Sequence, residues 1–184
     1  MGPPQVVIIT GPPGAGKSTV ARLVAERFSR AVCLESDWFW TTIVTGYVPP
    51  WQPGAEDQNR AVLLAVAAAA GALTRSGYTV VVDGIIGPWY LDIVTAELER
   101  SGVTARYVVL RPSRDVSLAR ATARAGQPER VPGHPPLIDP TPILQMWEQF
   151  ADLGDYEDSV IDTSDHDPGR TAAMVWEALA VDDP

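Results

Sequence analysis

Near the amino terminus, Gly11-Pro12-Pro13-Gly14-Ala15-Gly16-Lys17-Ser18-Thr19 combines spaced glycines with one lysine and two hydroxyls. The pattern G-x-x-x-x-G-K-[ST] has a definite physical use. Glycines permit backbone angles and close approaches that a Cβ would block. Amides from Gly14 and Ala15 through to Thr19 then turn inward around β- and γ-phosphates, at a helix start whose dipole favours anions. Lys17 supplies the charge that follows a γ-phosphoryl group in transfer, and the Ser18 hydroxyl is placed to hold Mg²⁺. Pro12 and Pro13 lack amide hydrogens and fall early in the loop, where donors are least needed. Lysine usage singles this site out: of 14 basic residues, all but Lys17 are arginine.

Two further segments carry carboxylates. In Glu35-Ser36-Asp37, alternation puts Glu35 and Asp37 on one face and turns Ser36 away. Asp37 is expected to act as general base toward an attacking hydroxyl, with Glu35 on the Mg²⁺ side; capping a following turn is the competing use of Asp37. Asp83 ends another apolar segment, and its spacing leaves two roles open: a Mg²⁺ or water ligand, or a carboxylate facing the acceptor. Gly84 and Gly87 after it would let the backbone approach that acceptor.

Arginines and aromatics complete the candidate set. Arg120 and Arg124 lie one helical turn apart and face the same way. One is expected to stack on adenine and the other to reach the transferring phosphate, with Arg130 swinging in on closure. Trp38, Phe39, Trp40, Tyr47 and Trp51, then Trp89 and Tyr90, predict a wall for a flat or apolar acceptor bearing a hydroxyl. Within it, Trp40, Trp51, Asp83, Gly84 and Trp89 are expected to touch the acceptor beside Asp37. Gln58 and Asn59 would add polar contacts, and Thr163 and Ser164 would border adenine.

Strands alternating with helices must position these groups. Apolar runs at Val6–Thr10, Ala31–Glu35, Tyr78–Asp83, Ala105–Arg111 and Ser159–Asp162 predict five strands. Helices are predicted at about Lys17–Arg30, Glu56–Ser76, Asp92–Arg100, Asp115–Arg124, Ile143–Leu153 and Thr171–Ala180. The prolines between Ser36 and Gly54 predict irregular chain. Six prolines between Gly126 and Pro142 predict a loop, serving as a short lid at about 125–142. The result is an α/β class protein: one three-layer domain over 1–184, a five-stranded parallel sheet with helices on both faces.

Composition narrows the choices. The 184 residues are 46% hydrophobic with a net charge of −9, which argues against tracking nucleic-acid phosphates. A single cysteine, Cys33, excludes a disulfide framework and a cysteine zinc cluster. No charged leader or membrane-length apolar run is visible, so a cytoplasmic protein is expected. With no lysine after position 17, the [NT]-K-x-D reader of guanine in regulatory GTPases is missing, and a motor or helicase needs more chain. A compact kinase of the nucleoside-monophosphate-kinase-like group remains.

The motifs GPPGAGKST, ESD, VVVDG and LARATAR together resemble the chloramphenicol phosphotransferase-like kinases. More distantly they are similar to shikimate and gluconate kinases, zeta toxins and the kinase half of polynucleotide kinases. The segment GYVPPW…QN…GYTVVVDGIIGPWYLD resembles bacterial proteins described as AAA-family ATPases or predicted kinases. The resemblance implies a phosphate-loop NTPase fold, ATP and Mg²⁺ as cofactors, Asp37 as base, and Lys17 and Ser18 as the phosphate-loop pair. It also implies transfer to a hydroxylated small molecule: an antibiotic, nucleoside or metabolite. A toxin-like or polynucleotide 5′-hydroxyl kinase and a non-catalytic ATP-binding regulator are the alternatives. Shikimate kinases carry DSD where this chain has ESD, and their substrate-clamping arginines have no clear match here.

Overall fold

The computed structural model describes residues 3–125 and 136–180. Arg130 and most of the expected lid fall outside them. Five parallel strands, β1 (Val6–Thr10), β2 (Ala31–Glu35), β3 (Thr79–Asp83), β4 (Ala105–Leu110) and β5 (Val160–Ile161), pair in the order β2-β3-β1-β4-β5. Every residue of β1 and β3 is buried, as continuous β-branched runs require when both faces of a sheet are covered.

Strand alternation sorts the core into two layers. Val6, Ile8, Val80 and Val82 face α3 (Glu56–Arg75) and α4 (Pro88–Arg100), meeting Leu63, Val66, Leu91 and Leu98. Val7, Ile9 and Val81 face α1 (Lys17–Ala25) and α7 (Pro168–Ala180), meeting Val20, Val24 and Val175. Each such side chain contributes roughly 1.5–3 kcal/mol on burial. This is the expected three-layer arrangement, and the five strands fall within a residue or two of their predicted limits.

Helix limits differ more, for one recurring reason. Helix α4 begins at Pro88, not Asp92; α6 (Pro140–Gln149) begins at Pro140, not Ile143; α7 begins at Pro168, not Thr171. Proline is a breaker inside a helix but suits the first turn, where amide hydrogens have no intrahelical acceptor. At α6 the Asp139 carboxylate accepts from the Thr141 amide, so the loop predicted to Pro142 ends in a capped helix. The segment predicted as irregular from Ser36 also holds a short helix, α2 (Asp37–Trp40). Helix α1 stops at Ala25, and α5 (Arg114–Thr122) carries Arg120 near its end.

Edge strand β5 is only two residues long and is held by an ion pair behind it. Arg111 donates to both oxygens of Glu157 at 2.7 and 2.8 Å and to the Phe150 carbonyl at 3.0 Å. The Leu153 amide donates to the same Glu157 carboxylate at 2.8 Å. These bonds pull the Glu157 pKa down from 4.5 to about 2, with the Arg111 hydrogen bonds the largest cause. A depressed carboxylate stabilises the fold above its unfolded value and loses that contribution as pH falls toward its folded value. The stability gap between wild type and Glu157→Gln should therefore be constant above pH 4.5 and close as pH approaches 2. Urea unfolding at a series of pH values reads this; a gap independent of pH would remove the Arg111 clamp from the account.

Candidate functional site

After β1 the chain turns through Gly11, Gly14 and Gly16, whose φ angles are 143°, 81° and 89°. Two of these glycines are required by contact as well as by angle. A Cβ on Gly11 would lie 2.0 Å from the Leu110 carbonyl oxygen, and one on Gly14 2.2 Å from that of Ser117. The loop is thus pressed onto the end of β4 and onto α5, where the buried Ser117 hydroxyl donates to the Pro13 carbonyl. At Gly16 a Cβ would meet nothing within 4 Å, so this position faces open space and glycine is favoured there by its angle alone. Lys17 folds back over this loop and donates to the Pro12 carbonyl at 3.1 Å.

Strand register brings the acidic groups to that loop. Asp83 is paired with Ile9 of β1 on one side and with Glu35 of β2 on the other. Adjacent strands lie about 4.8 Å apart, so Glu35 and Asp83 stand side by side. Asp83 is 5% exposed and hydrogen-bonded by the Ser18 hydroxyl. Burial holds its carboxyl above the ordinary range; Lys17 and Ser18 oppose this, while the charges of Asp37 and Glu35 add to it. Ser36 is fully buried against Gly84, but not by the strand alternation expected for 35–37: β2 ends at Glu35, Ser36 takes helical angles (φ −62°, ψ −30°) and Asp37 opens α2.

One cavity of about 970 Å³ joins these groups to the aromatic segment. Lys17, Ser18, Glu35, Asp37 and Asp83 line its floor. Trp40, Tyr47, Trp51, Trp89 and Tyr90 line its wall, as the sequence predicts, whereas Trp38 and Phe39 are not part of it. Tyr47 is held above the ordinary phenol range by burial and then by the nearby Asp37 charge.

Two neighbouring amides at the start of α3 fix this wall. Asn59 accepts from Trp40 Nε1 at 3.1 Å and donates to the Pro50 carbonyl at 2.8 Å and the Tyr90 hydroxyl at 3.4 Å. It therefore ties together α2, the segment at 41–55 and α4. Gln58 spends both ends of its amide on the backbone of Val48, at 2.9 and 2.6 Å. The expected polar contact of Gln58 with an acceptor is corrected accordingly, because its donor and acceptor groups are occupied. Gly87 also differs from expectation: a Cβ there would meet the ring of Trp89 at 2.2 Å, so its smallness makes room for that tryptophan. Gly84 does line the cavity.

On the other side of the loop, Arg120 donates to the carbonyls of Thr163 and Ser164 at 3.0 and 3.1 Å. Arg124 lines the cavity. Sequence reasoning missed Leu137, just ahead of α6, and Met146 and Gln149 on it, which line the cavity; Met146 and Gln149 lie within the predicted helix, but no local pattern showed that this face meets the loop. It also missed Thr10 and Tyr107. The Thr10 hydroxyl accepts from the Ile86 amide at 2.8 Å and Tyr107 donates to the Ile86 carbonyl at 2.8 Å, together fixing the turn after Asp83.

The oxygens of Ser18, Glu35 and Asp83 suit a hard cation such as Mg²⁺. Among the described residues no three His, Cys, Asp or Glu side chains form an ion cage. A Mg²⁺ carried on nucleotide phosphates needs only one or two protein oxygens, and a buried carboxylate short of positive charge is a fitting partner for it.

Comparison with known proteins places this geometry. The sequence profile of an AAA domain family matches residues 6–135. No curated protein matches the sequence significantly. Among solved structures, the tunicamycin resistance protein of Deinococcus radiodurans superposes with a TM-score of 0.68 at 17% identity, covering 96% of this chain and 95% of that one. A sugar kinase from Janibacter gives 0.65 at 21% identity, covering 98% and 96%. The APS kinase of Mycobacterium tuberculosis, solved with AMPPNP and APS, gives 0.62 at 22% identity, covering 97% and 99%. The sheet and its surrounding helices share the fold of these three proteins. No described helix is long and apolar enough to cross a membrane.

A raised carboxyl pKa means that the ionised form costs stability, a cost that grows as pH rises and vanishes once the group is protonated. Asp83→Asn should thus raise the metal-free melting temperature at neutral pH, the gain shrinking as pH falls, and, if Asp83 is a Mg²⁺ ligand, lower the Mg²⁺-dependent part of nucleotide affinity. Thermal scans and nucleotide titrations with and without Mg²⁺ test it; a variant that melts lower and keeps its Mg²⁺ response would remove Asp83 from the metal side.

Proposed function

The chain belongs to the AAA domain family matched over residues 6–135, and from that premise we propose that it is an ATP-dependent phosphotransferase acting on the hydroxyl of a small molecule. One observation carries the proposal: a single cavity connects Lys17 and Ser18 to Asp37 and to an aromatic wall. A non-catalytic nucleotide binder has no need of the second compartment.

In this mechanism the amides of the loop from Gly14 through Ala15 to Thr19 hold the β- and γ-phosphates, Gly11 seats the loop against Leu110, and Gly16 keeps the approach clear. Mg²⁺, held by Ser18 with Asp83 and Glu35, would supply charge neutralisation for the phosphates. Lys17 leaves the Pro12 carbonyl and turns to the γ-phosphoryl oxygens. Adenine lies along the guanidinium of Arg120, which its bonds to the Thr163 and Ser164 carbonyls hold flat. Arg124 reaches the transferring group from the far rim of the cavity.

The acceptor lies between Trp40, Tyr47, Trp51, Trp89 and Tyr90, on the Gly84 backbone. Its hydroxyl oxygen bonds to the γ-phosphorus as the bond to the bridging oxygen of ADP breaks, and its proton passes to the Asp37 carboxylate. A positioned base contributes typically 10²- to 10⁴-fold.

Asp37→Asn should lower turnover by about 100-fold or more while leaving ATP affinity within about two-fold, since the proton moves only in the transition state. Lys17→Ala should weaken both ATP binding and turnover. A mass screen for gain of one phosphoryl group by alcohols, followed by steady-state kinetics on the variants, checks both. Equal loss of ATP affinity and rate in Asp37→Asn would sink the base role, and unchanged turnover in Lys17→Ala would sink the proposal itself.

A further inference from the structure

Sheet order divides the cavity into two halves. Lys17 and Arg124 enter from the phosphate loop and the end of α5. The opposite half is built by the end of β2, α2, the segment at 41–55, α3 and α4, and among the described residues it contributes no lysine or arginine to the lining. It contributes instead Glu35, Asp37 and Glu56. Glu35 stands beside Asp83, on which the charge of Lys17 acts and where a phosphate-bound cation would sit. Asp37 and Glu56 form no ion pair with any described cation. Arg60, one helical turn beyond Glu56, belongs to a separate groove with Asp92 and Glu97.

The uncharged surface points the same way. Trp51 and Trp89 are each 43% exposed and line the cavity, and aromatic faces attract cations through their quadrupole. The amides of Gln58 and Asn59 are consumed within the wall; Thr41, Tyr47, Gln52 and Gln149 add neutral polar groups to the lining, and on this half the charged ones are all carboxylates. An anionic acceptor entering here would lose its hydration without gaining an arginine fork.

Building on the phosphotransferase reading of this site, we propose that its acceptor is an amino alcohol, a hydroxyl compound with a protonated amine next to an apolar or aromatic face. The amine sits between the Glu56 and Asp37 carboxylates and the Trp51 and Trp89 rings, and the apolar face lies on Trp40 and Tyr90. Selection is by charge as much as by shape.

The test uses three probes that share a phenyl ring and a benzylic hydroxyl: 2-amino-1-phenylethanol, its N-acetyl amide and mandelate. Their charges are positive, zero and negative. Each is titrated into the full chain saturated with Mg²⁺ and a non-hydrolysable ATP analogue, and followed by tryptophan quenching and calorimetry. The amine should bind about ten-fold more tightly than the amide, the scale of a partly desolvated cation on aromatic faces, and mandelate should bind no better than the amide. Glu56→Gln should cut the amine's advantage about three-fold, as expected for one partly exposed charge. Mandelate binding as tightly as the amine, equal affinity of amine and amide, or no binding by any probe would overturn the proposal. These are binding measurements, so they fail separately from the enzyme reading: loss of phosphoryl transfer to every alcohol, with the amine preference intact, would count against transfer alone.

Discussion

Parallel pairing of β3 with β1 on one side and β2 on the other brings Asp83, Glu35 and the start of the phosphate loop to one edge of the sheet. Three segments separated by long stretches of chain therefore deliver a lysine, a hydroxyl and two carboxylates to one place. Register is strict here because both faces of β1 and β3 are buried, and a slip of one residue would turn every apolar side chain to the wrong layer. The same strictness forces like charges together. Burial and its acidic neighbours hold Asp83 in a state that favours a proton, and positive charge nearby relieves it. Core packing thus sets the electrostatic tension of the site.

The wall opposite the loop is assembled differently. Trp40, Pro50 and Tyr90 come from three segments with no shared strand, and the side chain of Asn59 joins all three. A buried amide satisfied on both its donor and acceptor sides is stabilising and also directional, because each lost bond leaves a partner stranded. Gln58 does the same for the backbone at Val48. Helix α3 is long and alanine-rich, with Glu56 and Asp57 at its start and Arg75 at its end, the polarity its dipole favours. It offers a rigid post on which a proline-broken segment can be hung.

Much of this was legible in the residues. Unbroken β-branched runs gave the strands, and the glycine-lysine-serine spacing gave the phosphate loop, because both depend on neighbours in sequence. Helix starts at Pro88, Pro140 and Pro168 were not legible from proline counting, since the same residue ends a helix in its interior and begins one in its first turn. The adjacency of Glu35 and Asp83 depends on strand order, which no local pattern specifies. Gly87 and Gln58 looked like ligand contacts and proved to be occupied by Trp89 and Val48, tertiary neighbours that sequence does not announce.

A difference in materials separates the two halves of the cavity. The half proposed for the nucleotide is made chiefly of backbone: the glycine turns of the loop, and the carbonyls at Thr163 and Ser164 that hold Arg120. Backbone geometry survives wide change in side chains as long as the few glycines remain, so this half constrains little of the sequence. The half proposed for the acceptor is made of side chains, five aromatics with Asp37 and Glu56 beside them, carried on helices and connecting segments and not on the central strands. On the proposed reading, chemistry at the phosphate is tied to the glycine turns at the end of β1, whereas the choice of acceptor rests on side chains outside the central strands. The identity of that acceptor has to be argued from the charge and shape of Asp37, Glu56 and the tryptophans beside them, and from nothing in the sheet.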